Sequence, residues 1–486
     1  MSISQALSIA GSGLAATSRQ ASVVSSNVTN ALTPGYARRE VQVGELTVAG
    51  LGAGVEVLGV TRAEDRALTA SRRLAEGDSA RDDTLSTTQT RLSNALGGPD
   101  DEFSFFKSIE NLEASFASLR EMPESVTQQN QTLEAAKRVT RDFQQLSTEA
   151  TQIRMRADDE IARQVDEVND ALGEIDVLNA QIRQAQSGGQ DTAALEDQRQ
   201  RLIDRVSNII PIRETQAQNG EVGLITTQGV YLLSGSPFEL EFTPTTPINP
   251  AQTYEDGSLS GLTVGGVDIT PSSDQSLRLD SGSLAAQFQI RDEIAVEYTS
   301  QLDALAEDLI RRFSDPANDT SLDGTEPGLF TDAGGALNAP VAPGLAGRIE
   351  VNNRVDPAVG GELYRMRDGV GAEVEGALGD STLIDSVLDG LREPQSIDGP
   401  GFSGALSIVD AAAEFSSLRA SASLSAERAA ATSQARTSGL VEAEQQATGV
   451  DTDFELQNLL RIEQAYQANA RVIQVIDGML DRLLEI

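Results

Sequence analysis

The chain has 486 residues, 39% hydrophobic but only 4% aromatic, so its apolar load rests on Ala, Leu, Val and Ile; this suits narrow helical seams and argues against a large aromatic core. Seventy-four acidic against 37 basic residues leave a net charge of −37, which disfavours binding to nucleic-acid phosphates or anionic lipid. With no cysteine and no histidine, the chain has no thiolate or disulfide chemistry, and it lacks the commonest general base and transition-metal ligand.

The first eighteen residues carry no charge, and Ser, Gln and Gly interrupt their apolar positions. They resemble neither a secretory signal nor a membrane span of about 20 apolar residues, so no membrane insertion is expected. Instead Leu7, Ala10, Leu14, Thr17, Ala21, Val24, Val28 and Ala31 follow alternating steps of three and four, which predicts an amphipathic helix with one apolar stripe. Asn30 can close that helix, Pro34 blocks its continuation, and Gly35 permits a positive-φ turn that Tyr36 can anchor on a neighbouring surface. Gly50-Leu-Gly-Ala-Gly lacks the Lys-Ser/Thr of a phosphate loop and reads as a flexible bend.

Residues 60–97 read as helix, closed by Gly97-Gly98-Pro99. The proline-free stretch 124–210 carries a seam of Ile161, Val165, Val168, Leu172, Ile175 and Ile182; Ser187-Gly188-Gly189 ends one helix and Asp191 starts another. Over 212–282 the pattern changes. Val222–Thr227 and Val230–Leu233 flank Gln228-Gly229, and Leu262–Val264 and Val267–Ile269 flank Gly265-Gly266, which predicts two hairpins in a small inserted β domain. Helix resumes over about 283–313 and 405–446, separated by a Gly-, Pro- and Asp-rich stretch of weak periodicity that reads as loops, short strands and short helices.

The C-terminal segment repeats the first pattern with larger residues: Leu459, Ile462, Tyr466, Asn469, Ile473, Ile476, Leu480 and Leu483. Small facing large predicts that the two ends pair, with Thr17 and Asn469 as polar positions that set register. A helix pair buries little, so part of its apolar surface is expected to stay open to other subunits.

Asn27, Asn30, Thr33, Pro34, Gly35 and Tyr36 within residues 26–39 resemble the N-terminal motif of flagellar rod, hook and hook-associated proteins, and Leu459–Ile473 is similar to their terminal helix. Phe103-Ser-Phe-Phe-Lys-Ser-Ile-Glu, Leu195-Glu-Asp-Gln-Arg-Gln-Arg-Leu-Ile and Ser283-Leu with Arg291-Asp-Glu-Ile resemble the hook-associated protein 1 (FlgK) family in particular. That resemblance implies a mainly α, coiled-coil axial protein with an inserted β domain. The expected division is a terminal subdomain (1–59 with 447–486), a helical bundle (60–211 with 283–320 and 401–446), a β domain (212–282) and an irregular or mixed outer region (321–400). It implies a structural subunit of the hook–filament junction, outside the cell, exported through the flagellar type III channel without a cleaved signal. The implied partners are further copies in a ring, hook protein, a neighbouring hook-associated protein, and a cytoplasmic export chaperone on the C-terminal helix. Another axial subunit and a secreted coiled-coil adhesin are the alternatives. No catalytic, metal or cofactor residues stand out; the loop holding Asp315, Asn318, Asp319 and Asp323 lacks EF-hand spacing and reads as solvated.

Overall fold

The computed structural model describes residues 3–33, 35–48, 51–98, 100–216 and 220–484. Pro34 and Gly50 lie outside these residues. In chain order the first elements are α1 (Ile3–Asn30), β1 (Arg39–Val48), β2 (Leu51–Arg62), α2 (Arg66–Leu96), α3 (Phe105–Glu121), α4 (Val126–Ser187) and α5 (Ala193–Ile209). The strands β3 (Ile212–Gln216), β4 (Val222–Thr226), β5 (Tyr231–Leu233), β6 (Leu240–Glu241), β7 (Thr263–Val264) and β8 (Val267–Asp268) follow. Then come α6 (Ser283–Gln289), a π turn (Ile290–Ile294), α7 (Ala295–Ser314), β9 (Phe330–Asp332), β10 (Ile349–Val351), α8 (Arg365–Asp368) and α9 (Thr382–Arg392). The chain finishes with β11 (Gln395–Ser396), β12 (Ala405–Leu406), α10 (Ile408–Thr448) and α11 (Thr452–Leu484). The fold is mainly α with an inserted β region.

By contacts the chain forms two compact units, one of residues 1–79, 166–240 and 433–486 and the other of 80–165 and 241–432. The first unit holds both ends of the chain. Its α1 packs against α11 on one side and against the β1–β2 hairpin on another. A sheet of order β3-β4-β5 completes it, with Asn179 capping Val222 at the start of the central strand by accepting its N–H at 3.2 Å and donating to its carbonyl at 2.9 Å.

The second unit is built on a contiguous apolar core from α3, α4, α7, α9 and α10. Phe105 meets Phe143 edge-on at 4.9 Å between centroids, Tyr298 meets Phe415 at 5.4 Å, and Phe313 meets Phe330 at 5.0 Å. This corrects the expectation drawn from composition. A low aromatic share does not prevent the aromatics from being gathered in one place, where edge-to-face packing adds to area burial.

Three other expectations need correction. Residues 60–62 end a strand rather than start a helix, and Leu51–Gly54 of the expected bend belong to strand β2, which pairs with β1 as a hairpin. The inserted β region is not one separate body, because residues 212–240 group with the terminal segments and 241–282 with the helical core. Residues 321–400 are not merely peripheral: Phe330, Leu345, Ile349, Met366, Ile384 and Leu388 are all buried in the same core as α3 and α7.

Candidate assembly site

The two ends of the chain meet as an antiparallel helix pair. Gly13 of α1 lies against Asn469 of α11, and farther along the chain Arg38 bonds Glu455, so one helix runs up as the other runs down. A Cβ on Gly13 would stand 2.8 Å from the Asn469 amide nitrogen, so this glycine makes room for the polar seam residue. Thr17 is buried but spends its hydroxyl on its own helix, donating to the carbonyls of Gly13 at 3.0 Å and Leu14 at 3.1 Å. It therefore contributes volume, not a cross-helix bond.

The seam residues are covered unevenly. Ala10, Thr17 and Val24 are buried; Leu14, Ala21, Val28 and Ala31 are half-buried; Leu7 is exposed. On α11, Ile462 and Ile476 are buried and Leu459, Asn469, Ile473 and Leu480 half-buried, whereas Tyr466 is 47% exposed. Leu483 lies in the last turn of the helix. Sequence periodicity missed a second buried row on α1, formed by Ala16, Val23 and Asn27. Asn27 of that row bonds the first strand of the hairpin. Ser12 joins the two by accepting the Val55 N–H at 3.1 Å, and Gly54 lets the strand approach closely enough for this bond.

The motif after α1 is a folded clasp. Asn30 donates to the Ser26 carbonyl at 2.9 Å, Thr33 N–H returns to the Asn30 carbonyl at 2.9 Å, and Gly35 turns the chain at φ +74°. The wholly buried Asn27 then holds the returning strand. Its amide nitrogen donates to the Arg39 carbonyl at 2.9 Å, while its oxygen accepts from the Arg39 N–H at 3.1 Å and the Tyr36 hydroxyl at 2.9 Å. A side chain must carry both donor and acceptor to pair with a backbone in this way. Tyr36 thus anchors within its own motif, not on a neighbour. Burial pushes its phenol pKa up, opposed by the Arg39 guanidinium that lies 4.7 Å over its ring.

Arg38 and Arg39 lock the clasp to the rest of the unit. The Arg38 N–H donates to the Thr448 carbonyl at 2.9 Å, and its own carbonyl accepts from the Ala63 N–H at 2.7 Å. Its guanidinium bonds the buried Glu455 at 2.7 Å and reaches Glu40 at 2.8 Å. Burial alone would lower the pKa of Arg38, but these two carboxylates outweigh it and raise the value. Asp197 on α5 receives Arg39 at 2.6 Å and Arg62 at 2.7 Å, one from each strand of the hairpin. Arg19 of α1 reaches Asp191 at 3.2 Å. Behind this joint Arg72 bonds Glu76, Asp204 and Glu444, while Arg73 bonds Asp204, Glu214 and Gln200.

None of these partners was anticipated from the sequence, though one signal was available. The first 39 residues hold three arginines and no acidic residue, in a chain with twice as many acids as bases. Among the described residues no group of three potential metal ligands comes together, and no helix is long and apolar enough to cross a membrane.

Three family models match the chain. The flagellar hook-associated protein FlgK helical domain matches residues 89–330. The chain belongs to the FlgK family. The flagellar basal body rod FlgEFG protein C-terminal model matches 445–486, and the flagella basal body rod protein model matches 7–36, so the paired ends coincide with the two rod-type matches. Flagellar hook-associated protein 1 of Bacillus subtilis (strain 168) is 24% identical over 513 residues, covering 98% of this chain and 97% of that protein. A solved flagellar hook junction protein FlgK from Burkholderia pseudomallei aligns over 54% of this chain and 46% of its own, at 18% identity and a TM-score of 0.44.

Proposed function

We propose that this chain is a structural subunit of the hook–filament junction of the bacterial flagellum and assembles through its paired terminal helices. The observation that carries the reading is the terminal module itself: α1 and α11 cover each other along one seam and leave Leu456, Leu460, Tyr466, Val472, Val475 and Met479 exposed. Apolar residues gathered on a helix in this way mark a surface meant for other chains. Further copies of the chain in a ring, hook protein and a neighbouring hook-associated protein are the partners. Contacts that repeat head-to-tail around a tube generate such a ring without a two-fold axis.

Before assembly the same surface needs cover, and an export chaperone on α11 would supply it. Export through the flagellar type III channel fits a cysteine-free chain, which crosses without oxidative folding. The action is geometric rather than enzymatic. A rod or hook subunit is the second reading, favoured by the two rod-type matches at the ends; the helical-domain match over 89–330 favours the junction.

Electron microscopy of cells lacking the gene, with an assay for flagellin in the medium, tests this. Hooks without filaments and shed flagellin monomer are expected. Normal filaments would overturn the proposal, and loss of the hook would move the chain to the rod or hook.

A further inference from the structure

The terminal module is a stack with α1 in the middle, α11 on one side and the β1–β2 hairpin on another. Both outer layers carry an apolar face that the module does not cover. On α11, Ala465, Ala468, Val472, Val475 and Met479 are all exposed and lie in one row with steps of three and four. The row sits roughly a quarter-turn around the helix from the seam that meets α1. Arg461 begins it and Arg482 ends it, both exposed and without an ion pair among the described residues.

On the hairpin, strand alternation separates two faces. The face toward α1 carries Gly54, where a Cβ would run into Ser12 of α1, so the glycine allows close approach. The opposite face places Val43 across from Val57 and Glu45 across from Val55. The three valines are 36–44% exposed, and Glu45 is exposed with no ion pair among the described residues.

Resting on the assembly reading above, we infer that the α11 row of one copy docks on the valine face of the hairpin of the next copy. Three properties fit the faces to each other. Both are apolar at the centre. The row from Arg461 to Arg482 is about 31 Å long at the helical rise, and the ten residues of β1 extend about 33 Å at the strand rise. The charges are opposite, arginine at the ends of the row and glutamate among the valines. Two different surfaces of one module that fit each other make a heterologous contact, the kind that propagates around a tube instead of closing as a dimer.

The absence of cysteine provides a clean test. Full-length Val57→Cys, Val475→Cys and the double variant would each replace the native chain in cells. Flagella would then be isolated, oxidised and run without reductant. The double variant is expected to give a ladder of covalent multimers, and each single variant to give none. A chain that assembles normally and yields no ladder, while a Ser18→Cys with Val475→Cys pair does cross-link between copies, overturns the inference and leaves assembly through the terminal helices standing. Absence of the chain from isolated flagella overturns both. As a second readout, Val475→Glu, on an exposed position that does not disturb the α1 seam, is expected to leave monomer helicity unchanged and to lose incorporation. Undiminished incorporation of Val475→Glu would also overturn the inference.

Discussion

The core of the second unit and the terminal module of the first are held by different physics. The core is a continuous apolar cluster in which Phe105, Phe116, Phe143, Phe313, Phe330 and Phe415 are all buried. The terminal module buries two short rows of α1 and takes the rest of its definition from polar contacts: Asn27 on the Arg39 backbone, Arg38 on Glu455, and two arginines on Asp197. Apolar burial is non-directional and tolerates movement poorly only through lost packing. Hydrogen bonds and ion pairs fix direction, and they leave apolar surface free for a partner.

The largest expected effect is on the core. Phe143→Ala removes the edge-on partner of Phe105 and should cost about 3–5 kcal/mol. Hydrogen exchange should place the loss in the second unit; equal loss in α1 and α11 would mean that the two regions are not separately stabilised. Asp197→Ala probes the other side of the comparison. It strands Arg39 and Arg62, which should cost about 2–4 kcal/mol, felt as faster exchange and proteolysis of the hairpin and α1 with the core unchanged. A uniform loss across the chain would make Asp197 an ordinary structural acid.

Tyr298→Phe should go the opposite way. The hydroxyl is buried against the core without a protein partner, so removing it should stabilise the second unit by about 1 kcal/mol, read from denaturant midpoints. A loss of stability would show that the hydroxyl has a partner after all.

The smallest effect is a slope. Burial raises the Glu76 pKa from its ordinary 4.5, and the Arg72 ion pair only partly offsets this. The native state therefore holds this proton more tightly than the unfolded chain. The stability it adds is fully present below the ordinary value and is lost as pH rises through the raised one. Glu76→Gln should flatten the stability curve just above pH 4.5. An unchanged curve would assign the slope to other groups.

Much of the helical framework was legible in the chain. The proline-free stretch 124–210 located α4, and alternating steps of three and four located α1 and α11, because a helix that buries one face must repeat its apolar residues at that spacing. The motif around Asn27 and Tyr36 was legible as a stop and a turn. Its role as a clasp was not, since the bonds that define it join a helix residue to a strand twelve positions away. The β1–β2 hairpin was hidden for a related reason: Gly54 serves contact with α1, and the glycines around it read locally as a bend.

By itself, then, the sequence determined where the long helices run, one apolar face at each end, and that the chain is acidic and free of thiol and imidazole chemistry. Only the tertiary structure decided that Asp197 joins two strands from 135 and 158 residues away, that the aromatics gather in one core, and that 321–400 belongs to it. Periodicity records the environment of a residue relative to its own element. An ion pair between distant segments imposes no period on either, so its partners become known only once the chain is folded.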